Sequence, residues 1–349
     1  MPSRIRRRRP APLARDLLPA LYPFGLVLFT LVSLLAPQRE GSVALAQVLA
    51  HYLFLPALLL APFALSRGMF LLRLGLLSAG AAFLIAFPPA LRLPTPASAA
   101  QGPELTLLQW NVFVGGVSAG DLREALAQHQ PDVVTLQEAL WEEIAADEAI
   151  AAAYPYRLLR PEETAPSLVI LSRLPIVEAA VPQLPDPVWD MPRIVWARLD
   201  LGGQTVTVVN AHPMPPRIFA EGCSPLRCYN TGPRDEQIVA LRRFVDELRR
   251  RSGDPLILAG DMNVTEREPA YFDLSAGLQD AHRAVGSGFG ASWRPDELGV
   301  QWGLLRIDYL FSAGEIRPLA LTTDCSSRAS DHCLLVGRFA LEQSALAGR

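Results

Sequence analysis

The chain has 349 residues, of which 50% are hydrophobic and 19% charged, and its formal net charge is −3. This length is too great for one ordinary domain, and the composition changes sharply near residue 103. Residues 1–103 carry ten arginines and two acidic residues, whereas residues 104–341 carry 32 acidic residues and 21 arginines, a net charge of −11 without any lysine. The acidic region is therefore poorly suited to nonspecific nucleic-acid binding, which relies on clustered lysine and arginine.

Three long apolar runs fill the N-terminal region: Leu17–Pro37, Gly41–Ser66 and Gly68–Leu91. Each has about the ~20 residues needed to cross the hydrocarbon core of a bilayer. A cleaved signal peptide would account for only one of them. A soluble helical bundle is the alternative, but such a bundle would show polar faces at helical spacing. The sequence therefore predicts a membrane anchor over residues 1–93 with three transmembrane helices.

The arginines predict the orientation of this anchor. The cluster Arg4–Arg9 and Arg15 precede the first run, and the positive-inside rule keeps such residues cytoplasmic. Three crossings would then export the C-terminal region. Nucleic-acid binding by the basic cluster is the alternative, but its position directly before an apolar run favours topology. We expect a multi-pass protein of the cell membrane with a cytoplasmic N-terminus, an extracytoplasmic C-terminal domain, the lipid bilayer as partner and no protein partner.

Residues 94–103 are small, Pro-rich and uncharged, which is typical of a linker, so the second domain is expected at 104–341, followed by a tail at 342–349. All four cysteines lie in that domain, and an exported compartment would permit disulfides. Three pairings are open, and we expect the short-range one, Cys223 with Cys228 and Cys325 with Cys333. A zinc site is the alternative, but the spacings lack paired C-x2-4-C knuckles.

Short apolar runs from residue 104 onward alternate with amphipathic stretches. The runs predict eight strands: Leu105–Gln109, Val133–Leu136, Leu168–Leu171, Ile194–Leu199, Val206–Val209, Leu256–Ala259, Ile307–Phe311 and Leu334–Phe339. The amphipathic stretches predict three helices: Asp121–His129, Glu142–Ala152 and Arg234–Arg251. Because strands outnumber helices and Gly202-Gly203 indicates a hairpin, the pattern favours a mixed α/β layered domain over a regular βαβ array.

Polar residues recur at the ends of these apolar runs. The side chains are carboxylates, amides, imidazoles and one guanidinium: Asn111, Glu138, Arg173, His212, Asp261, Asn263, Asp308, Asp331 and His332. Side chains from several strand ends can converge on one cleft. Each alone is explained as readily by turn formation, since strands often end in Asp or Asn.

Seven motifs that contain these residues resemble, in order, those of the endonuclease/exonuclease/phosphatase family, which includes DNase I-like and exonuclease III-like enzymes. They are LLQWNVF, DVVTLQE, VILSRLP, VVNAHP, LILAGDMN, RIDYLF and SDH, and the resemblance runs from about Leu105 to Phe339. The resemblance implies a four-layer α/β sandwich of two packed β-sheets flanked by helices. It also implies a metal-dependent phosphoesterase.

Hydrolysis of a phosphate ester needs a hard cation, a base for the attacking water, and donors to the phosphoryl oxygens. Glu138, with Asn111 and Asp331, supplies the oxygen ligands that Mg²⁺ or Mn²⁺ prefers. The resemblance assigns His332 as general base or nucleophile-orienting group, with Asp308 accepting its other ring hydrogen.

The remaining site residues are expected to act on the phosphate or the leaving group. Asp261 would orient the water or leaving group, and His212, if protonated, would donate where negative charge grows. Asn263 and Asn111 would donate to the phosphate. Arg173 is a further candidate for phosphate binding, although an arginine beside a strand is often a surface ion pair.

The charge and the expected anchor together indicate the substrate class. An acidic domain tethered outside a bilayer meets a lipid head group or a small phosphoester more readily than nucleic acid. The alternative is an extracytoplasmic DNA nuclease of the DNase I type. A catalytically inactive, membrane-tethered binding module is a minor alternative, because none of the expected metal, base or phosphate positions is substituted.

Overall fold

The structure, a computed structural model, describes residues 12–93, 102–159, 167–185, 191–217, 228–295, 299–327 and 329–342. The described part of the C-terminal region contains twelve strands: β1 Glu104–Asn111, β2 Val133–Ala139, β3 Tyr156–Leu158, β4 Ser167–Ser172, β5 Ile176–Ala180, β6 Ile194–Leu201, β7 Gln204–Ala211, β8 Leu256–Asp261, β9 Gln279–Asp280, β10 Asp308–Ala313, β11 Ile316–Asp324 and β12 Leu334–Leu341. All eight predicted strands are confirmed to within three residues at each end.

The strands form two six-stranded sheets, with the orders β11-β12-β1-β2-β4-β3 and β5-β6-β7-β8-β10-β9. In each sheet one central pair is parallel, β1 with β2 and β7 with β8, and the described neighbours are otherwise antiparallel. Apolar side chains of both sheets interleave in one buried layer that includes Leu107, Val133, Val208, Ile257 and Phe339. This layer joins the two sheets face to face.

Helices cover the outer face of each sheet. On the first sheet these are α5 Ala119–His129, α6 Trp141–Ala146 and α7 Glu148–Ala153, and on the second they are α8 Gly232–Ser252 and α9 Pro269–Ser275, with the short α10 Ala281–Val285 following β9. The α/β sandwich that the motifs implied is therefore confirmed.

Two features of this domain differ from the prediction. The expected helix Glu142–Ala152 is divided at Asp147, whose extended backbone and side chain, accepting from Ile150 N, begin a new helix. Strands β3, β5, β9 and β11 were not predicted. In β11 the register shifts between Pro318 and Ala320, and such irregularity at an edge strand hides the period-2 pattern.

The N-terminal region forms four helices: α1 Pro12–Leu35, α2 Gly41–Val48, α3 Leu55–Ala64 and α4 Phe70–Ala86, with 3-10 turns at Tyr52–Phe54 and Pro88–Leu91. The Asp16 carboxylate accepts from Leu71 N at 2.8 Å and from Leu72 N at 3.0 Å, so it caps the start of α4. Gly75 of α4 lies against Pro23 of α1, which allows the two helices to pack closely and in parallel.

The prediction of three transmembrane helices is wrong. Only α1, over Arg15–Leu35, is long and apolar enough among the described residues to cross a membrane as a single helix. The chain from Gly41 to Ala64 bends by 87° between two shorter helices, and α4 has 17 residues. At a rise of about 1.5 Å per residue α4 spans roughly 26 Å, less than the ~30 Å of a bilayer core. Apolar composition alone did not reveal these breaks. The boundaries at 93, 103 and 342 stay predictions, because residues 94–101 and 343–349 lie outside the described chain.

Gly260 is the residue that allows the two parallel strands β7 and β8 to meet beside the site. Its φ is 145°, and a Cβ atom there would overlap the carbonyl oxygen of Ala211.

We expect Gly260→Ala to destabilise the protein by about 3 kcal/mol or more, since both strain and overlap must be relieved. Gly203→Ala, at a positive φ with open space around it, is the matched control and should cost about 1 kcal/mol. Equal thermal unfolding temperatures for the two variants would contradict this reading.

Candidate active site

Polar side chains from six strands meet at one edge of the sandwich. Asn111 ends β1, Glu138 lies near the end of β2, His212 follows β7 and Asp261 ends β8. Asp308 begins the antiparallel strand β10 directly opposite Asp261. Asp331 and His332 precede β12, which runs antiparallel to β1. Parallel strands therefore contribute residues from their carboxyl ends, and antiparallel strands contribute them from their amino ends.

Asn111 holds two carboxylates together. Its Nδ2 donates to Glu138 Oε1 at 3.1 Å and to Asp261 Oδ2 at 3.0 Å, while its Oδ1 accepts from Phe113 N at 3.1 Å. Asn111 and Asp261 are buried, whereas the Glu138 side chain is 29% exposed. Glu138 also has a φ of 55°, an uncommon conformation for this residue type that is often found at functional sites.

His212 faces the same two carboxylates. Its Nε2 lies 3.5 Å from Asp261 Oδ2 and 3.7 Å from Glu138 Oε1. Burial raises the pKa of Asp261, but the positive charges of His332 and His212 and the hydrogen bonds to Asp261 outweigh it and keep that pKa below its usual value. Asp261 is therefore ionised at neutral pH and available to a cation or to a water molecule.

His332 is oriented by Asp308. The ring Nδ1 lies 2.8 Å from Asp308 Oδ2, and Nε2 faces Asp261 Oδ2 at 3.7 Å and Asp331 Oδ1 at 3.9 Å. Burial alone lowers the pKa of His332, but the negative charges of Asp308 and Asp261 outweigh it and raise that pKa to about 10. In the protein without a bound cation, His332 is therefore protonated at neutral pH.

A buried polar network supports Asp308 and crosses between the sheets. Gln109 Nε2 donates to Asp308 Oδ1 at 2.9 Å and to Gln137 Oε1 at 2.8 Å. Gln137 Nε2 donates in turn to Asn210 Oδ1 at 2.7 Å, and Ser292 Oγ donates to Asp308 Oδ2 at 2.5 Å. The four members other than Asp308 are fully buried. Such a network fixes the direction in which Asp308 presents its oxygens.

Most of these supporting residues were absent from the predicted site. Gln109, Gln137 and Asn210 carried a usable signal, because each interrupts an otherwise apolar strand. Ser292 and Trp293 carried none, since they lie in a loop without strand or helix periodicity. Trp293 Nε1 donates to Asp331 Oδ2 at 3.0 Å and so helps to orient that carboxylate.

Asn263 lies on the loop after β8 with a φ of 50°. Its backbone N–H donates to Asp261 Oδ1 at 2.9 Å, and its Nδ2 donates to Pro213 O at 3.0 Å. Arg234, which is buried, donates from its guanidinium to Asn263 O at 2.7 Å. The structure thus places Asn263 beside Asp261, as expected, while phosphate binding by its amide stays a prediction.

The structure does not bring Arg173 into this cluster. Strand β4 runs antiparallel to β2 and pairs Ser172 with Val133, so Arg173 lies at the far end of the sheet from Glu138. Glu138 lies five positions after Val133 along β2, which is a distance of roughly 16 Å at about 3.3 Å per residue. The Arg173 guanidinium instead lies 5.2 Å from the centre of the Tyr154 ring. The expectation of a phosphate contact failed because the motif alone did not reveal the direction of its strand.

A disulfide joins Cys325 to Cys333, as the spacing led us to expect. The other expected pair includes Cys223, which lies outside the described residues. Since Cys333 follows His332 directly, the bond closes the loop that carries the His332 imidazole. We expect Cys325→Ser with Cys333→Ser to lower the free energy of unfolding by about 2–3 kcal/mol, the chain-entropy value for a loop this short. Thermal unfolding of the full-length protein measures this change, and an unaltered unfolding temperature would contradict it.

The donor set of the site fits a hard divalent cation. Glu138, Asp261, Asp308 and Asp331 supply carboxylate oxygens in a partly buried cluster opposite two imidazoles, an excess of negative charge that a cation would relieve. Asp261, Asp308 and His332 each offer one ligand atom within 4.8 Å of the others. The Asp308 oxygens, however, already accept from Gln109, Ser292 and His332. Glu138 and Asp261 are therefore better placed than Asp308 to bind a metal ion.

The comparisons with known proteins agree with this geometry. The model of the Endonuclease/Exonuclease/phosphatase family matches residues 108–332, a range that includes all of the residues in the cluster. No curated protein sequence is significantly similar to the chain.

Solved structures share the fold at low sequence identity. The human Nocturnin catalytic domain with bound sulfate anion is 16% identical, with a TM-score of 0.52 over 70% of this chain and 96% of that one. Danio rerio TDP2 complexed with single strand DNA product is 21% identical, with a TM-score of 0.51 over 68% and 98%. Bacteroides thetaiotaomicron mannosyl-6-phosphatase is 17% identical, with a TM-score of 0.51 over 68% and 100%.

Proposed function

The chain belongs to the endonuclease/exonuclease/phosphatase family, whose members are metal-dependent phosphoesterases, and we propose that it acts at the outer face of a membrane on the phosphodiester or phosphomonoester of a lipid head group or a small molecule. The observation that carries this proposal is the pair of carboxylates, Glu138 and Asp261, that one Asn111 amide holds together beside His212 and His332. Oxygen ligands, an oriented imidazole and a second imidazole are the groups that phosphoester hydrolysis requires.

Glu138, with Asn111 and Asp331, would hold the divalent metal, which we expect to be Mg²⁺ or Mn²⁺. Here the Asn111 amide presents its nitrogen to both carboxylates, so its role as a ligand needs the opposite amide orientation. When bound, the metal would neutralise charge on the phosphate and acidify a water molecule. Asp261, ionised and next to this position, would orient the attacking water.

His332 and His212 would act on the phosphate. Because the pKa of His332 is raised, its Nε2 carries a proton at neutral pH that it can donate to a phosphoryl or leaving-group oxygen. The predicted role as a base requires that the negative charge on Asp261 be offset, as a neighbouring cation would do. Asp308 accepts from Nδ1 in either case and fixes the direction of the ring.

The surface of the N-terminal helices supports anchoring in a bilayer. Of the 31 exposed large hydrophobic side chains in the described chain, 24 lie between Leu17 and Leu93, which is far more apolar surface than a soluble region leaves uncovered. Helix α1 has 24 residues, about 36 Å at 1.5 Å per residue, and can cross the ~30 Å core of a bilayer. We therefore propose α1 as the membrane-spanning helix, with the other three packed around it.

The arginines at one end of this helical bundle support an orientation for it across the membrane. Arg15 begins α1, and Arg73 donates to Ala64 O and Ser66 O at the same end. The opposite end, where α1 and α4 finish, adjoins the phosphoesterase domain. With the arginine end cytoplasmic under the positive-inside rule, the opposite end and the domain that adjoins it are extracytoplasmic. The Cys325–Cys333 disulfide fits such an oxidising compartment.

Single-stranded DNA is the second candidate substrate, because the similar TDP2 structure holds a single strand DNA product. The net charge of −11 over residues 104–341 favours the lipid or small phosphoester.

The test measures turnover of four substrates by the full-length protein in detergent, each with Mg²⁺, Mn²⁺ or EDTA. The substrates are p-nitrophenyl phosphate, bis-p-nitrophenyl phosphate, dispersed phospholipids and single-stranded DNA. We expect metal-dependent turnover of phosphoesters other than DNA. Turnover of DNA alone would move the assignment to a nuclease, and no turnover at all would contradict the proposal.

A further inference from the structure

The loop that carries Asn263 also binds the N-terminal helices. Arg267 lies four residues after Asn263 and is 8% exposed. Its guanidinium donates to Ala86 O, the last residue of α4, at 3.3 Å, and its central carbon lies 5.7 Å from the centre of the Phe87 ring. A cation at the carboxyl end of a helix is electrostatically favourable. One short loop thus joins the catalytic Asp261 to the end of α4.

A second active-site loop binds the helices in the same way. Tyr52 Oη donates to Leu304 O at 2.7 Å, and Leu305 packs against the cluster of Ala44, Val48 and Tyr229, which includes two residues of α2. Leu304 N donates to Trp293 O at 2.6 Å, and Trp293 in turn donates from its indole to Asp331. Trp293 therefore links Leu304, which contacts the helices, to Asp331, a predicted metal ligand.

Ionic and polar contacts fix the orientation of the domain relative to the N-terminal helices. Arg39, in the loop after α1, donates to Asp235 and to Asp273, each at 2.7 Å. Arg92 donates to Gly286 O at 3.2 Å and to Arg283 O at 3.0 Å. Because these contacts are spread around the end of the bundle, the domain is held in one orientation with its active-site loops toward the bundle.

Most of the exposed apolar side chains of the domain lie on the active-site loops or beside the docked helices. Seven large hydrophobic residues beyond residue 93 are exposed in the described chain, and five of them lie on the active-site loops or beside the docked helices: Phe113, Val114, Phe272, Phe289 and Trp302. Phe113, Val114 and Trp302 form what we term the apolar rim, and they are 44%, 46% and 66% exposed. The backbone N–H of Val114 donates to Glu138 Oε2 at 3.4 Å, so the rim adjoins the proposed metal ligand.

We propose that the cleft opens onto the outer surface of the bilayer that holds the N-terminal helices, and that the apolar rim enters its head-group region. The substrate is then the phosphoester head group of a lipid in the same membrane. Tryptophan and phenylalanine are favoured at this depth, and their exposure to water beside a cleft otherwise has a free-energy cost. This inference rests on the proposed function and commits it to a lipid rather than to a small soluble phosphoester.

The first test compares lipid in the same membrane with lipid in a separate one. Full-length protein is reconstituted in phosphatidylcholine vesicles that contain phosphatidic acid or phosphatidylglycerol, and the same lipids are offered in protein-free vesicles. We expect head-group hydrolysis of the lipid that shares the bilayer with the protein to be at least about tenfold faster, since docking holds the cleft at that surface. Equal rates in the two arrangements would overturn the inference.

The second test removes the apolar rim. In Val114→Gln with Trp302→Gln we expect the ratio of kcat/KM on vesicle lipid to kcat/KM on bis-p-nitrophenyl phosphate to fall about tenfold, as expected when two apolar side chains no longer enter lipid. Val177→Gln with Tyr156→Gln removes a matched exposed pair on the edge strands β5 and β3, and its ratio should stay within about twofold of wild type.

The two proposals fail in different ways. If wild type hydrolyses bis-p-nitrophenyl phosphate but the rim variant keeps the wild-type ratio, the membrane-facing cleft is overturned and the phosphoesterase stands. If wild type hydrolyses neither substrate with Mg²⁺ or Mn²⁺, the proposed function is overturned and this inference with it.

Discussion

His332→Ala is expected to reduce kcat on a phosphoester by about 10³-fold, within the ~10²–10⁴-fold range of acid–base catalysis by a positioned side chain. The reason is the geometry at Nε2, which faces Asp261 and Asp331 while Nδ1 is held by Asp308. Steady-state turnover of bis-p-nitrophenyl phosphate by the full-length protein measures the effect. A variant that keeps more than about a tenth of wild-type kcat would contradict a catalytic role.

The neighbouring residues offer a control and a positioning variant. His129→Ala removes an imidazole that pairs with Asp324 near the protein surface, and it should leave kcat within about twofold of wild type. Asp308→Asn should lose most of the activity that His332→Ala loses, because it changes the hydrogen bond that orients the ring. Combining the two substitutions should add little, since the residues act as one unit. Full additivity of the two losses would show that they act separately.

Glu138→Gln is the second substitution with a large expected effect, a loss of at least about 10²-fold in kcat/KM at low metal concentration. The change keeps the shape of the side chain and removes its charge, so the affinity for Mg²⁺ or Mn²⁺ should weaken. Titration of activity with metal should then show a higher half-saturating concentration, with partial recovery at high metal. A matched control is Glu142→Gln, an exposed carboxylate in the first turn of α6. An unchanged metal titration for Glu138→Gln would show that another carboxylate binds the metal.

Much of the domain was predictable because its strands are apolar and its site residues lie at strand ends. Asn111, Glu138, His212 and Asp261 follow this rule directly, since they come from the carboxyl ends of neighbouring parallel strands. Arg173 follows the same local pattern and yet lies at the other end of the sheet. Strand direction is decided by long-range pairing, which a local motif does not contain.

The N-terminal region shows a different limit. Hydropathy detects apolar segments but not the 87° bend between residues 48 and 52, so it overestimated the number of straight crossings. The docking contacts were equally hidden, because Arg39, Tyr52 and Arg267 meet their partners across 181 to 252 positions of sequence. The buried network of Gln109, Gln137 and Asn210 was visible as polar residues in apolar strands, although their partners were not.

We expect this cluster to hydrolyse phosphoesters with a divalent metal. The most direct measurement is turnover of bis-p-nitrophenyl phosphate by purified full-length protein before treatment with EDTA, after it, and after Mg²⁺ or Mn²⁺ is restored. We predict that activity is lost with the chelator and returns with the metal, and that the metal-restored kcat of His332→Ala is about 10³-fold lower. Activity that survives EDTA, or that is equal in wild type and His332→Ala, would contradict the assignment of this site.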